Sequence, residues 1–409
     1  MFGLLSRERD VLVLALPLFL YGAVLILSDA WQRTPRLRVS RSFDAPRIYE
    51  DERVDVTLAV TNEAPQPAFI SLRDTIPDGL SLVSGETALG GRIEPGGSSR
   101  RTYTLSASRG GHTQRQLLGA AWAPWGLGIR DLTIRMESRL TALPLFETLR
   151  EIEIRPRRFH AFAGSIRTDR SGSGLEVHGC REYALGDDIR RINWRASARR
   201  EEVIVNLFEQ ERMTDVNIIV DARAHMHLQV GGVRTFDRVV RAAASVASHF
   251  LRKSNRVGLL VYGDTFNWTY PGAGRLQMER ILHTLALARP SNRVAFGQLR
   301  QIPTRLFAAG SQLVIFSTLG SSEDEDVPVQ MAARGYSVLL VYPNTLALER
   351  SAISPGASLD LAGRLVRLGQ HASLSRLARA GVHVVDWDLT EPLAVAFHHA
   401  GQFERGVHR

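Results

Sequence analysis

Five short runs in the second half of the chain are almost wholly apolar: VNIIVD at 216–221, VGLLVY at 257–262, LVIF at 313–316, SVLLVY at 337–342 and VHVV at 382–385. A strand with one wet face alternates apolar and polar residues, whereas a run apolar throughout has both faces covered. Between these runs lie stretches with helical spacing, at 235–252, 277–288, 299–309, 325–334 and 373–380. Strand alternating with helix predicts a doubly wound, mostly parallel sheet over residues 213–409. Ligands of such sheets bind outside the carboxyl ends of the strands. That directs attention to Asp221 and to the loop after Phe316.

The pattern over 36–150 is different. Short alternating runs at 54–60, 68–72, 81–83, 101–105, 117–121 and 132–135 are punctuated by Asn62, Pro65, Pro67, the Pro77-Asp78-Gly79 turn, Gly90-Gly91 and Pro95-Gly96-Gly97. Even strand spacing with turn chemistry between predicts an antiparallel β-sandwich. Trp122, Pro124, Trp125 and Gly126 read as an aromatic turn capping that sandwich.

Residues 1–35 read as a membrane anchor. Positions 11–27, VLVLALPLFLYGAVLIL, carry no charge, and about 17 to 20 apolar residues span a bilayer core as a helix. Pro17 and Gly22 are tolerated in membrane helices, and Trp31 suits the interface. Arg33, Arg36, Arg38 and Arg41 follow the span, while Arg7 and Arg9 before it are offset by Glu8 and Asp10. This asymmetry predicts a single-pass protein of the cell membrane with its bulk in the cytoplasm.

Residues 151–212 link the two folded regions and contain a stretch that follows neither a helical nor a strand period. Gly179, Arg181, Glu182, Tyr183, Gly186, Asp187, Asp188, Arg190, Ile192, Asn193, Trp194, Ser197, Ala198 and Arg199 lie within about twenty residues. Arg181, Arg190, Arg195 and Arg199 can each fork two hydrogen bonds to a carboxylate, and Glu182, Asp187 and Asp188 are near enough to saturate some of them. The expectation is an internal ion network, a turn at Gly186, an aspartate helix cap, and Trp194 as apolar anchor. Such a segment serves as a clasp between domains or as an exposed docking surface for a protein partner.

The run G-x-R-E-Y-x-x-G-D-D-x-R-x-I-N-W-x-A-S-A-R, followed closely by an apolar strand ending in Asp, resembles the family filed as domain of unknown function fifty-eight. The resemblance implies a von Willebrand factor type A-like domain after the motif, a membrane anchor and β-sandwich before it, and a MoxR-type AAA+ ATPase as partner. Type A domains usually hold Mg²⁺ through D-x-S-x-S after the first strand, because that hard cation wants oxygen ligands. Here the stretch is Asp221-Ala222-Arg223-Ala224-His225, so both serines are replaced, one of them by a cation. Only Asp221 survives clearly, with Thr318 a weak oxygen donor. Arg223 is expected to repel Mg²⁺ and pair with Asp221, leaving a degenerate, metal-free site. A compensating set from Asp264, Glu323, Asp324 and Asp326 is the alternative. His225 and His227 lack a third ligand at a diagnostic spacing.

Composition narrows the function classes. The formal charge of +9 and pI near 10.3 come from arginine, since Lys253 is the only lysine, so the charge reflects residue bias and no nucleic-acid partner is expected. Cys180 is the only cysteine, which excludes an intrachain disulfide framework. No P-loop glycine pattern occurs, and no nucleophile has a placed base. The reading is a non-enzymatic, membrane-anchored adaptor without a cofactor. The alternatives are a hydrolase at the carboxyl edge of the sheet, using Asp221 with His225, or a basic lipid- or nucleic-acid-binding protein.

Overall fold

The computed structural model describes residues 9–31, 35–122, 129–149, 177–185, 187–200, 202–208, 215–263, 266–291, 299–353 and 356–407. The chain divides into two compact units, Met1–Glu147 with Leu282–Arg289, and Thr148–Ile281 with Pro290–Arg409.

The first unit begins with helix α1 (Arg9–Trp31), where the apolar run leads one to expect it. The side chains described in it lie between Val13 and Ile26. Among the described residues, no helix is long and apolar enough to cross a membrane. The anchor expectation therefore has no support from the described part of this helix.

Nine strands follow: β1 (Leu37–Phe43), β2 (Arg47–Tyr49), β3 (Arg53–Asn62), β4 (Ala68–Asp74), β5 (Leu80–Gly85), β6 (Ala88–Ile93), β7 (Ser98–Ala107), β8 (Gly110–Trp122) and β9 (Ile129–Leu143). They form one sheet of order β1-β3-β7-β5 and another of order β2-β9-β8-β4-β6, antiparallel except where β2 meets β9. The alternation is physical: in β3, Val54, Val56, Leu58 and Val60 are buried while their neighbours face outward. Together with Ile70, Leu72, Leu105 and Leu117 they form the sandwich core. Pro124, Trp125 and Gly126 lie outside the described residues.

One core element is polar. Arg41 forks Asp74 through Nε (2.7 Å) and Nη2 (2.5 Å), and the Tyr103 hydroxyl donates to the same carboxylate at 2.5 Å. Both members of the ion pair have side chains fully withdrawn from water. Burial pushes the Tyr103 hydroxyl up, and the adjacent Asp74 charge adds to that shift. Arg41 is therefore a core residue, which removes it from the charges counted as flanking the anchor.

In the second unit, β10 (Val177–Glu182) pairs antiparallel with β11 (Ile204–Phe208), and helix α2 (Trp194–Arg200) lies in the insertion between them. The parallel sheet follows: β12 (Asp215–Asp221), the hairpin β13 (Gln229–Val230) with β14 (Val233–Arg234), α3 (Thr235–Arg252), β15 (Arg256–Tyr262), β16 (Phe266–Gly272), α4 (Gly274–Leu287), β17 (Gln312–Phe316), α5 (Ser322–Ala333), β18 (Ser337–Asn344), α6 (Leu346–Ser351), α7 (Ala357–Arg379), β19 (His383–Asp388) and α8 (Leu393–Val407). Strand order is β16-β15-β12-β17-β18-β19, parallel except for β16, which runs antiparallel to β15.

Each of the five apolar runs is a strand. Two helix expectations change. The 299–309 region forms only short 3₁₀ turns at Leu299–Gln301 and Thr304–Leu306, because Pro303 interrupts the ladder. The 373–380 helix starts much earlier, at Ala357, since Gly363 and Gly369 are accommodated within α7. Helices α6 and α8 are additional to the expected set. Strand order reverses at β12: the chain first adds β15 and β16 on one side of it and then β17, β18 and β19 on the other. The carboxyl ends of β12 and β17 thus flank the topological switch point of the sheet.

Candidate functional site

The last residue of β12, Asp221, is completely buried. Its Oδ1 accepts from the Arg223 backbone N–H at 3.1 Å and from Arg223 Nε at 2.9 Å. Its Oδ2 accepts from Arg223 Nη2 at 2.7 Å, Ser317 Oγ at 2.7 Å and His225 Nε2 at 3.1 Å. A carboxylate offers about four lone-pair positions, so five donors saturate it. Arg223 Nη1 reaches across to Asp324, near the start of α5, at 3.0 Å. The same guanidinium lies 5.9 Å from the centre of the Tyr262 ring at the end of β15.

The sequence produces this cluster step by step. β12 ends at Asp221, and the two-residue step to Arg223 lets the guanidinium fold back onto the strand end. Ser317 is the first residue after β17, and its Oγ also accepts the Leu319 N–H at 3.0 Å, which fixes the turn. Leu319 adopts the left-handed region at φ 49°. Gly320 lets the His225 ring come close: a Cβ there would sit 2.9 Å from Nδ1. Ser321 caps α5 by accepting the Asp324 N–H, so Asp324 sits in the first turn, where a negative charge suits the helix dipole.

Burial alone would raise the Asp221 carboxyl. Hydrogen bonds from His225 and Arg223, and their charges, overcome that and hold it well below the usual carboxylate range. Burial alone would lower the Arg223 guanidinium, but the bonds and charges of Asp221 and Asp324 raise it. Both groups stay ionised.

The residues do not fit a Mg²⁺ ion. The guanidinium already occupies the space between the Asp221 and Asp324 carboxylates, and the Asp221 oxygens have no free lone pair. Thr318, the expected oxygen donor, turns toward Met226 Sδ at 3.5 Å, and Ser317 takes the position at Asp221 instead. Asp324 belongs to the cluster as a partner of Arg223, whereas Asp264 lies outside the described residues. Among the described residues, no group of three or more His, Cys, Asp or Glu is arranged to hold a metal. Sequence reasoning missed Ser317. Its signal was its place, one residue past the end of the strand beside β12.

The linking motif builds a second feature. Its hub is Asn193: the side chain donates to Asn206 Oδ1 at 2.8 Å and accepts the Ala196 N–H at 3.0 Å, capping α2. The Asn193 backbone N–H donates to the Ile204 carbonyl, and Ser197 Oγ accepts the Ile204 N–H at 2.9 Å while donating to the Asn193 carbonyl. Asp188 caps the 3₁₀ turn Ile189–Arg191 by accepting the Arg190 N–H. Arg181 donates to Asp187 at 2.7 Å and to the Glu182 carbonyl at 3.0 Å. Asp187 is held below the usual carboxylate range, first by the Ala184 N–H and then by Arg181. Tyr183 is half-buried and donates its N–H to the Val203 carbonyl.

The expected ion network is seen in the Arg181–Asp187 pair, with the Arg191 charge also acting on Asp187. Glu182, Arg190, Arg195, Arg199 and Arg200 are exposed. So is Trp194, at 67%, together with Ile189 at 66% and Leu185, which is fully exposed. The hub is polar, so Trp194 is displayed and is no anchor. Gly186 lies outside the described residues.

Residues 179–342 match the family described as protein of unknown function DUF58. The DUF58 match therefore takes in the linking motif, β12, the Asp221 cluster and β17. The chain is 22% identical to the protein "Uncharacterized protein YeaD" of Bacillus subtilis over 280 residues, which is 67% of each chain. It is 28% identical over 116 residues to "Uncharacterized protein Rv1480" of Mycobacterium tuberculosis, covering 28% of this chain and 37% of that relative. Among solved structures, a FixG-related protein from Vibrio parahaemolyticus is matched over 27% of this chain and 98% of its own at 19% identity. Its TM-score of 0.20 is too low to bear on the fold.

Proposed function

We propose that this protein is a non-enzymatic, membrane-anchored adaptor whose linking motif docks an acidic surface of a protein partner, a MoxR-type AAA+ ATPase acting in assembly or maturation of other proteins. The partner class comes from the family resemblance of the motif. The observation that carries the reading is the display of Trp194, Ile189 and Leu185 beside Arg190, Arg195, Arg199 and Arg200. An exposed aromatic flanked in sequence by exposed arginines has the composition of an interface hot spot, and exposed cations favour a partner rich in carboxylates. The Asn193 hydrogen bonds hold that surface in place before any partner arrives.

The Asp221 cluster speaks against hydrolysis. A carboxylate saturated by five donors and held ionised is a poor general base, and His225 is oriented toward it. The anchor rests on the uncharged run at 11–27. Positive flanking residues Arg33, Arg36 and Arg38 favour a cytoplasmic bulk.

Co-purification from membranes with the AAA+ ATPase encoded nearest to this chain tests the reading. Recovery is expected from the native chain and is lost with Trp194→Ala or with Arg195→Glu combined with Arg199→Glu. Unchanged recovery of the ATPase with both variants refutes the docking role of the motif.

A further inference from the structure

We propose that the outward face of helix α7 is a further docking surface, and that its occupant is an amphipathic helix of another protein, with an apolar seam flanked by acidic residues. This inference is independent of the docking role of the linking motif. Leu374 and Leu377 of α7 join the core of the parallel sheet, Gly363 is buried and Gln370 half-buried, and these four define its inward face. At about 100° per residue, Leu361, Leu365, Leu368 and Ala372 fall on the opposite side. The three leucines are 61%, 62% and 67% exposed, and Ala372 is exposed beside them. A helix that is apolar on both sides is ordinarily covered on both.

Spacing and charge define what covers it. Steps of four, three and four residues make the seam of a helix pair, in which each side chain fits between residues of the facing helix. Such a stripe is narrower than the face a helix buries in lipid. Arg364 and His371 occupy one flank of the seam, with Arg367 behind them, and Ala362 and Gly369 the other, where a facing helix can come close; all five are exposed. Asp360, the only acidic residue of α7, pairs with Arg350. Asp386 in β19 already feels the charges of Arg367 and His371, so Arg364 is the cation that selects the partner. Two copies of α7 packed antiparallel would bring their cationic flanks together, and packed parallel would set each cationic flank against alanine and glycine. Neither arrangement supplies an acid. A facing helix with carboxylates beside its seam does so.

The test is fluorescence anisotropy of a labelled peptide of about three heptads, with Leu in its seam and Glu on both flanks, added to the full chain in phosphatidylcholine nanodiscs. The native chain is expected to bind it saturably, and to bind the same peptide with Lys for Glu at least about fivefold more weakly. Leu365→Ser combined with Leu368→Ser is expected to weaken binding at least about tenfold with an unchanged thermal midpoint, because both side chains are exposed. Arg364→Glu is expected to remove most of the preference for Glu. Trp194→Ala is expected to leave binding unchanged, which separates this surface from the linking motif. Absence of saturable binding overturns the proposal, as does binding that survives the paired serine variant, falls with Trp194→Ala, or shows no preference for Glu that Arg364→Glu removes. Discs holding two copies that separate with the paired serine variant also overturn it, giving the seam to a second copy. Slower amide exchange of 357–372 on moving the native chain to phosphatidylglycerol discs overturns it in favour of a membrane surface.

Discussion

Replacing Asp74 by Asn in the sandwich core separates a buried ion pair from an exposed one. The substitution keeps the volume and removes the charge that faces Arg41, whose side chain is fully buried. Breaking a buried pair by removing one partner costs about 3–5 kcal/mol, because the remaining charge is stranded out of water. The pair Arg38–Glu63 is a control of similar length, 2.6 Å, but with side chains 76% and 42% exposed, and Glu63→Gln should cost about 0–1 kcal/mol. Tyr103→Phe removes one bond to a charged acceptor and should fall between, at about 1.5–3 kcal/mol. Because the chain has two units, the assay must report on the sandwich alone, and amide hydrogen exchange of β3 and β7 does so. Replacing both members of the pair, as Arg41→Met with Asp74→Leu, should recover most of the loss. A loss on Asp74→Asn no larger than that of Glu63→Gln would refute the buried-pair reasoning.

Other expectations follow from the second unit. Asp221 is held below its ordinary pKa of 3.8, so it contributes stability that is present above about pH 4 and is lost as pH falls toward the folded value; Asp221→Asn should flatten that acid limb in pH-dependent unfolding. Asn193→Ala removes the cap of α2 and the bond to Asn206, and should speed exchange across 177–208 by a factor corresponding to about 1–2 kcal/mol, leaving β12 and β15 unchanged. Trp194→Ala should change stability by less than about 0.5 kcal/mol while abolishing partner recovery, since the side chain is displayed; calorimetry and co-purification together check this.

The parallel sheet was legible because burial on both faces writes an unbroken apolar run, and no other local structure of that length requires one. β16 carries the alternation of a half-covered strand, Phe266, Trp268 and Tyr270 against Asn267 and Thr269, but its antiparallel place at the sheet edge comes only from its pairing with β15. The pairing of Arg223 with Asp221 could be read from spacing, because residues two apart at a strand end fold back on each other. Ser317 and Asp324 could not, since they lie 96 and 101 residues away from their partners in sequence. Only the strand order brings them together. The Arg41–Asp74–Tyr103 core was hidden for the same reason: single charged residues in alternating strands read as solvent-facing until the register is known. Trp194 was misjudged because size suggests burial, whereas the nearby asparagine and serine provide the fixing bonds.

The antiparallel strand β16 also decides how this sheet ends. Its register with β15 slips between Val257 and Leu259, and it finishes at Pro271-Gly272, where proline offers no N–H. A strand from another molecule arriving at that edge meets a twisted and interrupted ladder. Five parallel strands with long apolar runs are otherwise well suited to uncontrolled growth by strand addition, and here the hazard at one side is blunted by a segment seven residues long.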